Sequence, residues 1–307
     1  MGNPLDSGQF VRLLDKRLRL VEEAKYKALP TMIPQIYNVM SSDSAWEEYY
    51  AIGAVPDIPE FTGKVPYLSV SPGFHMKIEP KEYSGGLMVE RKLIDDKKYA
   101  VLDNFAAGLM ESAQRTREKI GVRTFAHAFS SAYDFMTSEE GVALCSSSHT
   151  TKSAVSTASG FDNAGSSAFS KSAVEATRVL MRQFRDDIAE RIEIGQNLAL
   201  IVPDNLADLA MELVGTEKGM DSAEGNINVN YRRYKVIPYL RLDDYDSNNW
   251  FMVDLDAMKR DLMWVDRKLP ATNHIVDFET YQLKYAAYFR CAYGWKDWRW
   301  IYGHLVS

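Results

Sequence analysis

The most regular pattern in the chain lies near its end. Tyr281, Leu283, Tyr285, Ala287, Phe289, Cys291 and Tyr293 hold alternate positions, with Gln282, Lys284 and Arg290 between them. A period of two predicts a long strand with one face buried. Alternation also marks Leu68, Val70, Phe74, Met76 and Ile78, and Ser84-Gly85-Gly86 follows as a turn signal. Residues 67–94 therefore read as a two-stranded ribbon, with a return limb over 87–94. An isolated hairpin is marginal in water, so this ribbon needs a partner surface.

Spacings of three and four predict helices. Phe10, Leu13, Leu14, Leu18 and Val21 give one over about 9–29, ended by Pro30 and Pro34. Leu102, Phe105, Leu109, Met110, Ala113 and Ile120 give the longest, over 95–130, with Asp95-Asp96 at the end where the dipole favours negative charge. Val174, Val179, Leu180, Phe184 and Ile188 give another over about 172–191, capped by Ser170 or Ser172. The apolar run Leu198-Ala199-Leu200-Ile201-Val202 is a buried strand, and Asp204 caps a helix reaching about 214. Residues 216–230 form a Gly/Asn/Asp-rich excursion. Strands are expected over 234–240 and 250–253, with a polar turn over 243–249. Strands and helices mixed in this order indicate an α+β (mixed α/β) fold. By contrast, residues 1–66 combine Trp46, Tyr49 and Tyr50 with Pro56, Pro59 and Pro66. That segment reads as an arm lying against another surface rather than as a domain.

Composition narrows the function. The 307 residues are 46% hydrophobic and 25% charged, enough for one large or two ordinary domains. No apolar run approaches the roughly 20 residues of a membrane-spanning helix. The start, Met1-Gly2-Asn3-Pro4, lacks the basic-then-apolar order of a secretory signal. Cys145 and Cys291 form no CxxC pair and read as small buried hydrophobes. The net charge of -6 argues against a protein that wraps nucleic acid by neutralising phosphates.

Chemistry-bearing motifs are absent from the sequence: no phosphate-binding GxxxxGK[ST], no GxGxxG after a strand, no HExxH, no GxSxG. None of His75, His127, His149, His274 and His304 lies within five residues of another, so no local metal pair exists. In Ser146-Ser147-Ser148-His149, adjacency does not make a dyad, and the histidine is expected to hydrogen-bond its loop. The pairs Asp95-Asp96, Glu139-Glu140, Asp186-Asp187 and Asp243-Asp244 are expected to be solvated. Trp295, Trp298, Trp300 and Tyr302 lack the adjacent basic stripe of a base-stacking platform and are expected to pack.

Four stretches, in order, resemble the Mu-like prophage major head subunit family. They are Asp95-Asp96 leading into the long helix that ends near Arg115–Lys119, Gly141-Val-Ala-Leu-Cys-Ser-Ser-Ser-His149, Leu200-Ile-Val-Pro203, and the closing Tyr285–Gly303 with its Gly294-Trp-x-x-Trp298 turn. Thr150 stands where that family often has proline. The resemblance implies the Hong Kong-ninety-seven capsid fold of tailed phages. It further implies an N-terminal arm (1–66), an extended loop over a neighbouring subunit (67–94), a peripheral domain (95–169 and 271–307) and an axial domain (170–270). The expected function is that of a non-enzymatic subunit, without cofactor, forming pentamers and hexamers of an icosahedral head around double-stranded DNA. The expected partners are other copies, a portal, and a separate scaffolding or decoration protein, with no membrane. Lys77, Glu79, Lys81, Glu82, Glu90 and Arg91 are the candidate intersubunit contacts. A cellular nanocompartment shell of the same fold, or a soluble α/β enzyme with no recognised motif, are the alternatives.

Overall fold

Two sheets and a projecting ribbon organise the chain, seen here in a computed structural model that describes residues 29–90, 99–132, 138–215, 228–277, 279 and 282–306. The expected helix over 9–29 falls outside these residues except for Leu29, as do Arg91, the Asp95-Asp96 pair and residues 216–227 of the polar excursion. In chain order the elements are α1 (Ile33–Ile36), β1 (Asn38–Ser41), β2 (Glu47–Ile52), β3 (Pro72–Ile78), β4 (Lys81–Glu90), α2 (Tyr99–Ala126), β5 (Ala164–Gly165) and α3 (Lys171–Met181). There follow β6 (Leu198–Val202), α4 (Ala207–Gly215), β7 (Lys235–Pro238), β8 (Trp250–Asp254), α5 (Leu255–Asp261), β9 (Leu262–Val276), β10 (Gln282–Trp295) and β11 (Ile301–His304).

The long sheet has the order β1-β9-β10-β4. The alternation that predicted β10 holds: Leu283, Tyr285, Ala287, Phe289, Cys291 and Tyr293 are all buried. One neighbour is β9, paired from Trp295↔Leu262 to Leu283↔Val276. The other is β4, paired from Cys291↔Lys81 to Gln282↔Glu90. This pairing corrects the expected hairpin of residues 67–94. Ser84-Gly85-Gly86 is not a turn but the middle of β4, and β3 pairs with β2 instead. Gly86 is there for close approach, since a Cβ on it would sit 2.8 Å from the Tyr285 carbonyl oxygen.

The 28-residue α2, about 42 Å long at roughly 1.5 Å per residue, packs on this sheet. Its main polar tie is buried. Arg117 Nη1 and Nη2 donate to Asp266 Oδ1 and Oδ2 at 2.7 and 2.9 Å, and Trp264 Nε1 donates to the same carboxylate at 2.9 Å.

The second sheet, β5-β11-β8-β6-β7, is the centre of the core. Every residue of β6, β8 and β11 is buried, and for β6 this is why the strand reads as an unbroken apolar run. Ser170 caps α3 by accepting the Ala173 N–H, as expected. The helix stops at Met181 and not near 191, and Val179 and Leu180 are exposed. Beyond it Phe184 turns into the core against Trp298, the Arg185 N–H bonds Gly160 O, and Asp186 Oδ1 accepts the Ile188 and Glu190 N–H groups. An aspartate that satisfies nearby amides in this way competes with helix. Neither α5, capped by Asp254, nor β9 was anticipated.

At the end of the second sheet His304 stacks on Trp250, with centroids 4.2 Å apart and planes at 9°. Its Nδ1 accepts the Ser167 N–H at 3.1 Å, and its Nε2 lies 2.8 Å from Thr177 Oγ1. A ring that must accept at Nδ1 is held neutral, and burial lowers its pKa to about 4. Below the ordinary histidine value the unfolded chain takes up a proton that the folded chain refuses. Stability is therefore lost as pH falls from about 6.5 to about 4. Thermal midpoints across this window should fall more steeply for the native chain than for H304Q. Parallel profiles would refute the assignment.

Candidate assembly surface

Strands β2 and β3 form an antiparallel ribbon, with Glu47↔Ile78 at its root and Ile52↔Pro72 at its outer end. The root is seated in the core. Met76 and Ile78 are buried against Gly294 of β10, where a Cβ would lie 2.7 Å from Ile78 Cδ1. Glycine at 294 is what lets the ribbon come so close to the sheet. The outer part differs in character. Every residue from Asp57 to Pro72 is exposed, including Ile58 (88%), Phe61 (68%), Val65 (62%) and Tyr67 (95%). Large apolar side chains concentrated on one exposed segment mark an association surface. The sequence carried part of the signal for this: Pro56, Pro59 and Pro66 interrupt the segment, so its apolar residues have no continuous helix or strand by which one chain could bury them.

The candidate contact residues fall into two places. Lys77, Glu79, Lys81 and Glu82 follow one another from the end of β3 into the start of β4. Glu90 lies at the far end of β4, about 27 Å away at roughly 3.4 Å per residue, and Arg91 is outside the described residues. Lys77 Nζ lies 3.2 Å from Glu79 and over the Trp46 ring at 4.7 Å, while Glu82 pairs with Arg290 at 3.5 Å. Ion pairs of this kind at the surface contribute little stability.

The ribbon is also held from the side. Residue Glu139 accepts the His75 N–H with Oε2 at 3.1 Å, donates its own N–H to His75 O at 3.0 Å, and faces His75 Nδ1 at 2.8 Å. Lys152 Nζ donates to the same carboxylate oxygen at 2.5 Å. Lys152 and the His75 N–H together hold the Glu139 carboxyl down to about 2, so it stays charged in any mild buffer.

The neighbouring carboxylate overturns an expectation. Glu140 is not solvated, for its side chain is 7% exposed and meets His149 Nδ1 at 3.1 Å and the Thr150 N–H at 2.7 Å. The remaining expected pairs within the described residues are used structurally as well. Asp187 binds Arg299, and Asp243 accepts the N–H groups of Asp204 and Asn205. His149 stacks on Trp298 with centroids 4.1 Å apart, and its Nε2 faces Asn163 Oδ1 at 3.1 Å. Ser146 Oγ turns to Ser148, so the serine–histidine stretch is a hydrogen-bonded loop, as expected. The four C-terminal aromatics are buried, and so are both cysteines, whose thiols burial pushes up, to about 12 for Cys291. No group of metal ligands occurs among the described residues.

Comparison with known proteins places this architecture. A family profile described as "Phage capsid protein" matches residues 76–303. No curated protein sequence matches the chain. Among solved structures, the mature capsid of bacteriophage PhiM1 is similar at a TM-score of 0.58 and 13% identity, covering 89% of this chain and 86% of that one. The capsid of a native GTA particle is similar at a TM-score of 0.53 and 12% identity, covering 91% of each chain. A virus-like particle from Pyrococcus furiosus gives 0.50 and 10%, covering 94% and 98%. Since the profile spans well over half its length and the architecture agrees, this chain belongs to the phage capsid protein family and is a major capsid protein with the Hong Kong-ninety-seven fold.

Proposed function

We propose that copies of this chain associate as pentamers and hexamers into the icosahedral head of a tailed phage, enclosing double-stranded DNA without sequence-specific contact. The observation that carries this reading is the exposed apolar segment at the end of a ribbon whose root is fixed in the core. A large apolar side chain contributes about 1.5–3 kcal/mol when fully covered, and nothing among the described residues of one chain covers these. The extended loop is then residues 47–78, in place of 67–94, and it lies over a neighbouring subunit. Residues 170–270 surround the capsomer centre as the axial domain, while 95–169 and 271–307 form the peripheral domain. Glu79, Lys81 and Glu90 serve at the wet rim of the contacts. Contacts between unlike surfaces of identical copies close into rings, and interlocking ribbons bury more than the roughly 1,600 Å² of an ordinary interface. The function is geometric and not enzymatic. A portal and a separate scaffolding or decoration protein complete the assembly, which forms in the host cytoplasm and ends in the virion.

Negative-stain microscopy and size-exclusion chromatography of the chain, alone and co-expressed with its neighbouring genes, test this. Closed shells or tubes of pentamers and hexamers are the expected result. A small oligomer under both conditions would overturn it. The likeness to the virus-like particle from Pyrococcus furiosus supports a second reading, a cellular nanocompartment shell. Shells that co-purify with protein cargo and no DNA would favour that one.

A further inference from the structure

We propose that residues 138–152 are a clamp that sets the angle of the β2–β3 ribbon, Glu139 gripping the ribbon and Glu140 anchoring the clamp to the core. Adjacent carboxylates face opposite ways. Glu139 satisfies both the N–H and the C=O of His75 on the edge of β3 that β2 leaves open, and Met76 bridges to Ser138 beside it. Lys152, at the other end of the segment, closes on Glu139 and lies 5.5 Å from the Phe74 ring centroid. Between them, Glu140 holds both His149 and the Thr150 N–H.

From there the connection to the core is short and rigid. His149 lies flat on buried Trp298 and faces Asn163 Oδ1. The Asn163 amide donates to Leu144 O and Ile301 O while its Oδ1 accepts the Ser146 N–H, so its orientation is fixed. A chain of bonds thus runs from the open edge of β3 to the first residue of β11. The two grips differ in exposure. The Glu139 side chain is 34% exposed and that of Glu140 is 7%. The Glu139 grip is the one that can release without opening the core.

The consequence for assembly rests on the shell reading. A ribbon that must meet neighbours at more than one curvature needs a releasable stop at its root, and Glu139 is placed to provide it.

Hydrogen–deuterium exchange on the purified, unassembled full chain tests the clamp independently of any shell. In E139Q, the β2 and β3 amides should exchange roughly tenfold faster or more, the effect of losing charge-assisted bonds at one point. The amides of β6 and β8 should not change. E139D keeps the charge but shortens the reach, and should loosen the ribbon in the same way, which covers the case in which E139Q fails to fold. Ribbon exchange unchanged in a folded variant would overturn the proposal. So would loosening spread equally through β6 and β8. If the native chain forms no shells but the ribbon responds as stated, the shell reading fails and the clamp stands. If variants with loosened ribbons still give shells as uniform in diameter as the native chain, the clamp does not govern curvature.

Discussion

Excising residues 54–70, and joining Gly53 to Ser71 through an Asn-Gly pair, is expected to leave a folded, soluble subunit that no longer forms shells. The fold should survive because the Gly53 N–H already donates to Ser71 O at 2.9 Å, so the ends stand where a two-residue hairpin turn places them. Nothing in the removed stretch belongs to the core. Met76 and Ile78, which fix the root, remain, and so does the Glu139 clamp on His75. What disappears is the exposed apolar surface of Ile58, Phe61, Val65 and Tyr67. The loss recurs at every subunit contact, so its effect on a shell of many copies far exceeds its effect on one chain. Microscopy and the thermal midpoint together decide the matter. Native-sized, heat-stable particles from the excised chain would refute the role of the loop, whereas a collapsed midpoint would show that the loop contributes to the fold.

The largest effect on the fold itself is expected from R117A. Arg117 and Asp266 side chains are 5% and 8% exposed, and both bonds of the bidentate pair are short. Removing the cation strands a buried carboxylate that keeps, among the described residues, the Trp264 N–H, a loss of about 3–5 kcal/mol. The damage should be local to the joint between α2 and the long sheet, beside the place where the β9–β10 register shifts between Arg290 and Cys291. A double replacement, R117M with D266L, removes the stranded charge and should recover much of the loss, because well-packed apolar pairs often match buried ion pairs. Denaturant unfolding of the three variants distinguishes the cases. A single variant within 1 kcal/mol or so of the native chain would show that the pair contributes little beyond an exposed one.

Some of this molecule follows from sequence order alone. Alternation at residues 281–293 foretold β10 and its buried face, the apolar run 198–202 foretold β6, and Ser170 foretold the start of α3. Each of these depends on neighbours within one turn or one pleat, so local spacing was sufficient. The resemblance of four ordered stretches foretold the capsid fold. Partner choice was another matter. Gly85-Gly86 carries a turn's composition, yet it lies in β4 because a strand some 200 residues later, β10, comes close enough to exclude a side chain at Gly86. Strand β9 was hidden because Asp266, Arg267, Lys268 and Pro270 break the alternation, and Asp266 tolerates burial through Arg117, far away in α2. Glu140 reads as a surface charge until folding turns it onto His149, whose ring is stacked on Trp298. The sequence by itself determined the elements whose pattern is unbroken, namely β10 with its buried face, β6, the course of α2 and the start of α3, since periodicity records burial directly. Tertiary structure alone decided which strands pair, which charges are buried, and that the projecting ribbon is β2 with β3, because those depend on contacts between residues that no local spacing relates.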